Sequence, residues 1–296
     1  MNEVIAVPKI VQTHQYPLDR DEGITLKDSD SVMLSKCELA GCRSDCSRIT
    51  VNFGDRLQKR ALPPDIDVNI AARCRAWSGF QHSGLPMIVL IGGCTGTGKS
   101  TVAAELAQRL DIGRIQSTDI LRDVVRLFVS EQLAPELHVS SYNAWRVSPY
   151  RNMSDHNQDS HLIAGFRAQS DKLATTIDAV IARSIKERAS IIIEGVHINP
   201  DYYRRVVQDE AVVIPLLLTN PSTKKLKRHF LRRGEVAPSR GATGYLENFS
   251  EIWQVQNFLV GEAKRYEVPI IVNTDLDDTL RRVIGSIMEH LQERFL

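Results

Sequence analysis

The spacing of hydrophobic positions changes near residue 85. Before it, short mixed segments such as YPLDRDEG and LKDSDS carry charges and turn formers with little sustained period. From residue 86 the order becomes regular. The apolar run MIVLIGG predicts a buried strand, and KSTVAAELAQRL after it predicts a helix. GRIQSTD predicts the next strand. The following ILRDVVRLFVSEQL repeats Leu121, Val124, Val125 and Phe128 at helical spacing, which predicts one buried face.

After a polar stretch at 139–160, Leu162, Phe166, Leu173, Ile177, Val180, Ile181 and Ile185 trace the apolar face of a long helix. SIIIEGVH then reads as a central strand, AVVIPLLLTN as another, and PIIVN as the last. Helices are predicted over STKKLKRHFLRRGE, over YLENFSEIWQVQNFLVGEAKRYE as one piece, and over the terminal DLDDTLRRVIGSIMEHLQERF. Alternating strands and helices give an α/β fold: five parallel strands with helices on both faces. Residues 1–85 read as an arm or small appended module, and 86–296 as the main domain.

Composition adds bounds. The chain has 296 residues, 43% hydrophobic and 25% charged, which is enough apolar material for a sizeable core. A net charge of +1 provides no basic field to attract nucleic acid. No apolar run reaches the roughly 18 residues of a membrane span, and the first residues lack a secretory leader pattern. The expectation is therefore a soluble cytoplasmic protein without nucleic-acid or membrane partners. Five cysteines do not make a disulfide framework in a chain this long. Cys37, Cys42 and Cys46 cluster, but a zinc site needs four ligands, and unpaired thiols in a loop-rich arm are the simpler reading.

The chemistry begins at IGGCTGTGKST, residues 91–101. Gly93, Gly98, Lys99 and Ser100 fit G-x-x-x-x-G-K-[ST] between a strand and a helix, the order a phosphate-binding P-loop requires. Backbone N–H groups along Gly93, Cys94, Thr95, Gly96, Thr97 and Gly98, with Lys99, Ser100 and Thr101 at the helix start, suit the polyphosphate of ATP. Lys99 is positioned for the β and γ phosphates and the Ser100 hydroxyl for Mg²⁺. Cys94 reads as a small residue tolerated by the turn rather than a reactive thiol.

Glu194 ends the central strand, where a carboxylate can hold Mg²⁺ through water or orient a nucleophile. Asp119, after the second strand, is suited to accept a proton from a substrate hydroxyl, and it can also cap its helix. Arg122, three residues on, offers a guanidinium fork to an anionic substrate; Arg126 reads equally as a solvated charge. Lys227, Arg228, Arg232, Arg233 and Arg240 surround a Gly/Pro-containing loop that reads as a helical lid. Arg233 is the candidate for the transferring group, and Arg232 and Arg240 for the nucleotide phosphates. Spacing alone does not decide among them.

Guanine-reading N-K-x-D is absent from LTNPSTKK and IVNTD, which argues against a GTPase. A regulatory ATP-binding switch acting through residues 1–85 is the alternative. It would need neither Asp119 with Arg122 nor a basic lid, and no feature of the arm identifies a protein partner.

LIGGCTGTGKSTVAAELAQRL, STDILRDVVR, LHVSSYNAWR, IIIEGVHINP and YLENFSEIWQVQNFLVGEAKRYEVPIIVN, in this order, resemble the 2-phosphoglycerate kinase family of P-loop kinases over residues 86–296. The resemblance implies Mg²⁺- and ATP-dependent phosphorylation of the 3-hydroxyl of 2-phosphoglycerate to 2,3-bisphosphoglycerate. A related phosphorylated hydroxy acid is the alternative acceptor. The matching run offers Ser140, Ser141, Tyr142 and Arg146 as a polar wall for the acceptor, with Trp145 as a packing anchor. His197, just past Glu194, reads equally as a substrate contact or as a hydrogen-bonded structural histidine. Residues 1–85 show no match to the ATP-cone that precedes the loop in archaeal members.

Overall fold

A computed structural model describes residues 68–147, 158–206, 209–236 and 242–296. Cys37, Cys42 and Cys46, and with them the zinc alternative, lie outside the described residues. The five strands are β1 (Met87–Gly92), β2 (Ile115–Ser117), β3 (Ile191–Gly195), β4 (Val212–Thr219) and β5 (Ile270–Val272). They form one parallel sheet in the order β2-β3-β1-β4-β5. The expected α/β architecture is present.

The period of two along β1 explains why helices cover both faces. Met87, Val89 and Ile91 join one core cluster, while Ile88 and Leu90 join the other. The first face packs on α1 (Val68–Ser83), α2 (Lys99–Leu110) and, through Leu280, Val283, Ile287 and Leu291, on α9 (Leu276–Phe295). The second packs on α3 (Thr118–Phe128) and on α5 (Gln158–Lys186), which buries Leu173 and Ile177 completely. Each such side chain removed from water stabilises the fold by roughly 1.5–3 kcal/mol.

Helix α1 falls within the stretch assigned to the arm, yet Ala76, Trp77 and Phe80 enter the first core beside α9. Its apolar residues are scattered around the helix rather than gathered in one stripe, so the sequence gives it little amphipathic signature.

A third cluster lies beyond the carboxyl end of the sheet. There α6 (Thr223–Val236) and α7 (Ala242–Glu247) pack against α8 (Phe249–Arg265) and against the short α4 (Ala144–Val147). Phe230 stacks on Tyr245 at 5.0 Å between ring centres, joining the two helices of the lid. The single helix expected over YLENF…RYE is broken at Asn248, whose Nδ2 donates to the Gly244 carbonyl at 2.8 Å and competes with helix continuation.

Candidate active site

Register brings the chemistry to one end of the sheet. Glu194 lies opposite Ile91 of β1 and opposite Ser117 of β2, so the P-loop, Glu194 and the start of α3 converge at the strands' carboxyl ends. The loop between β1 and α2 closes tightly. Gly98, the residue before α2, has φ 87°, and a Cβ there would collide with the Asn273 amide. Gly96 has φ 84° and lies so close to Phe230 that a side chain would have no room.

Lys99 is buried, and its Nζ donates to the Cys94 carbonyl at 2.9 Å. Thr97 Oγ1 donates to the same carbonyl at 3.0 Å. Outside the loop, Asn273 Nδ2 donates to the Thr97 carbonyl at 2.8 Å and Asn220 Nδ2 to the Gly96 carbonyl at 3.2 Å. The ends of β4 and β5 thereby fix the loop from behind. Cys94 is buried against Gln256, and burial pushes its thiol up to about 12. It is an inert packing residue.

Ser100 Oγ donates to Glu194 Oε1 at 2.9 Å. A hydroxyl and a carboxylate at the mouth of a phosphate loop are oxygen ligands of the kind Mg²⁺ accepts. Both groups line a cavity of about 180 Å³ together with Thr95, Gly96, Gly98, Lys99, Thr101, Asp119, Val196 and His229. Asp119 stands exposed in the first turn of α3 and faces this cavity. A phosphate held by the loop and a hydroxyl held by Asp119 would share one space.

A larger cavity, about 690 Å³, lies between Pro86, Ile185, Arg188 and Arg205 at the amino ends of the strands. It has no phosphate loop, and the Asp178 carboxylate that lines it is taken up by the Tyr202 hydroxyl and by Arg205, so size does not locate the chemistry.

The remaining expected residues divide. Arg122 is mostly buried, and its Nη1 donates to the Val139 carbonyl at 2.9 Å, tying α3 to the segment that carries Ser141 and Tyr142. Ser141 and Tyr142 are themselves buried, Tyr142 meeting Tyr245 edge-on. Arg146 reaches α8, where its Nη2 donates to Asn248 Oδ1 and Glu251 Oε1, each at 3.2 Å. Trp145 packs against Gly165 of α5, where a Cβ would strike the Trp145 backbone. Arg126 pairs with Asp123 on the surface at 3.4 Å.

His197 is buried, with Nδ1 at 2.9 Å from Thr118 Oγ1 and Nε2 at 2.9 Å from Gln169 Oε1. Both ring nitrogens are engaged inside the protein, which is the structural alternative rather than a substrate contact. Burial lowers its pKa to about 4, so the ring is neutral. Arg232 and Arg233 belong to α6 but their side chains are not among those described, and Arg240 lies outside the described residues.

His229 is a cavity-lining residue that the sequence did not single out. It lies on the lid helix, lines the cavity, and sets Nδ1 3.1 Å from the Gly96 carbonyl. The available signal was the buried pair Leu226 and Phe230, four residues apart, which marks the inner side of α6 next to His229.

No family model matches the chain. Among curated proteins, the 2-phosphoglycerate kinase of Pyrococcus furiosus is 35% identical over 223 residues, which is 75% of this chain and 71% of that protein. The 2-phosphoglycerate kinase of Methanopyrus kandleri is 34% identical over 228 residues, 77% of this chain and 68% of that protein. A solved gluconokinase from Sinorhizobium meliloti 1021 aligns at 16% identity with a TM-score of 0.37, covering 71% of this chain and 95% of its own. The identity to curated relatives runs through most of both chains, and this protein belongs to the 2-phosphoglycerate kinase family of small-molecule kinases.

Proposed function

We propose that the chain transfers the γ-phosphoryl group of Mg²⁺-bound ATP to the 3-hydroxyl of 2-phosphoglycerate, forming 2,3-bisphosphoglycerate. The observation that carries the reading is the shared cavity: the phosphate loop, the Ser100–Glu194 pair and Asp119 line one space. The relatives' activity on 2-phosphoglycerate supports the acceptor.

In this reading Asp119 takes the proton of the attacking hydroxyl as its oxygen bonds to the γ phosphorus and ADP leaves. Lys99 turns from the Cys94 carbonyl to the phosphates and offsets the charge spread over the transferring group. Ser100 and Glu194 hold the divalent cation, which neutralises phosphate charge when bound. Arg122 holds the segment that carries Ser141 and Tyr142 through the Val139 carbonyl, and its guanidinium is offered as a cation for an anionic acceptor. Arg233 is proposed for the transferring group, and Arg232 and Arg240 for the nucleotide phosphates, on their place in the sequence.

Asp119→Asn tests the assignment. The variant keeps the shape of the side chain but not the base, so ATP affinity measured by calorimetry should be unchanged while acceptor-dependent turnover falls by roughly 10²–10⁴-fold. Near-normal turnover in this variant would refute the role of Asp119. Chelation of divalent cations should likewise stop turnover, and added Mg²⁺ should restore it.

A further inference from the structure

Gln169 of α5 is closed off from solvent, as are Thr118 and His197. Its Nε2 donates to the Glu136 carbonyl and, at 3.0 Å, to the Val139 carbonyl. Carbonyl oxygens only accept, so this amide has one admissible orientation, with Oε1 turned to His197 Nε2 at 2.9 Å. That nitrogen must then carry the ring proton. Nδ1 of the neutral ring is left as an acceptor, and Thr118 Oγ1, 2.9 Å away, donates to it. The hydrogen bonds run in one direction, from the Thr118 hydroxyl through the ring to the Gln169 amide and on to two carbonyls, and each polarises the next.

The chain joins two parts of the site. Thr118 is the first residue of α3, directly before Asp119. It lies against Gly195, the neighbour of Glu194, where a Cβ would overlap Thr118 Oγ1. At the other end Val139 precedes Ser140, Ser141 and Tyr142, and its carbonyl also accepts from Arg122 of α3 at 2.9 Å. Lys172, three residues along α5 from Gln169, holds the buried Glu136 carboxylate at 2.8 Å. The segment 136–142 is thus tied to α5 and to α3 together.

We propose that Thr118, His197 and Gln169 are positioning residues that hold the segment 136–142 at a set distance from Asp119, so that an acceptor bound by the segment presents its hydroxyl to the base. This rests on the kinase reading of the cavity. None of the three lines that cavity, so they act through Asp119 and the segment and not on a substrate.

Amide hydrogen exchange read by mass spectrometry tests the chain without any turnover. Gln169→Leu, which frees both carbonyls, should speed exchange across 136–142 by roughly tenfold or more. The Thr118 hydroxyl bonds His197 and not the segment, yet Thr118→Val, which keeps the side chain's shape and removes its donor, should loosen the same stretch. Thr118→Ser, which keeps the hydroxyl, should restore protection. With acceptor, kcat/KM should fall by roughly a hundredfold in Gln169→Leu and in Thr118→Val while ATP affinity by calorimetry stays unchanged. The double variant should lose little more than either single one, because both break one chain. The Thr118 pair carries the test if Gln169→Leu does not fold. Unchanged exchange at 136–142 in Thr118→Val would overturn the chain, and faster exchange with normal kcat/KM would overturn its positioning role. A wild type that turns over no acceptor would refute the kinase reading and the positioning role with it, while the exchange pattern decides separately whether the chain couples Thr118 to the segment.

Discussion

Lys99 shows how a residue of the site is stored before use. Its ammonium is buried and satisfied by the Cys94 carbonyl, so binding a nucleotide exchanges one acceptor for another at little desolvation cost. Lys99→Ala should lower turnover by roughly a thousandfold or more, measured as ADP release, while the fold persists. His197 makes a prediction about stability. Its pKa is about 4 when folded against about 6.5 when unfolded, so the unfolded chain binds more protons in between. The stability it contributes is complete above pH 6.5 and is lost as pH falls towards 4, by roughly 3 kcal/mol in all. Denaturant midpoints followed from pH 7 to pH 4 should show this slope, and His197→Gln should flatten it. Cys94, with its thiol pushed up to about 12, should resist alkylation in the native protein and react on unfolding, as peptide mapping by mass spectrometry would show. At this scale the motif residues were legible because a phosphate loop has a fixed spacing. The partners that brace it, Asn220, Asn273 and Gln256, were not, since they come from separate strand ends and a distant helix.

Elements were legible where their period was strong. The strands β1, β3 and β4 are continuous apolar runs, and α5 buries Leu162, Phe166, Leu173, Ile177 and Ile181 as its pattern predicts. Helix α3 departs from its pattern: Val124 and Phe128, expected to be buried with Leu121 and Val125, are exposed at the sheet edge. Periodicity reports that a face is apolar but not whether the same chain covers it. The lid illustrates the converse, because a helix with cations on several sides does not announce which one turns inward; Lys227 lies 4.6 Å over the Phe249 ring while His229 meets the loop. Contact between α4 and α5 depends on Gly165. Gly165→Ala should gain about 1 kcal/mol of helix propensity but lose roughly 1–3 kcal/mol against the Trp145 backbone, and thermal unfolding should register a net loss of a few degrees.

For the whole molecule, the parallel order β2-β3-β1-β4-β5 sets Glu194 between the strand that delivers the loop and the strand that delivers Asp119. That neighbourhood could not be read from the chain, where Asp119 and Glu194 are far apart and only crossover connections unite them. Helix α1 was also hidden, since its apolar residues have no single face and acquire meaning only against α9. If this cavity is a kinase site, it passes phosphate to a hydroxyl rather than to water. The direct test is ADP release in Mg²⁺ and ATP with 2-phosphoglycerate, compared with 3-phosphoglycerate, glycerate and no acceptor, with products identified by mass spectrometry. Turnover should depend on 2-phosphoglycerate and yield a bisphosphoglycerate in step with ADP. Slow ATP hydrolysis at the same rate with every acceptor, despite tight ATP binding, would contradict phosphoryl transfer to 2-phosphoglycerate.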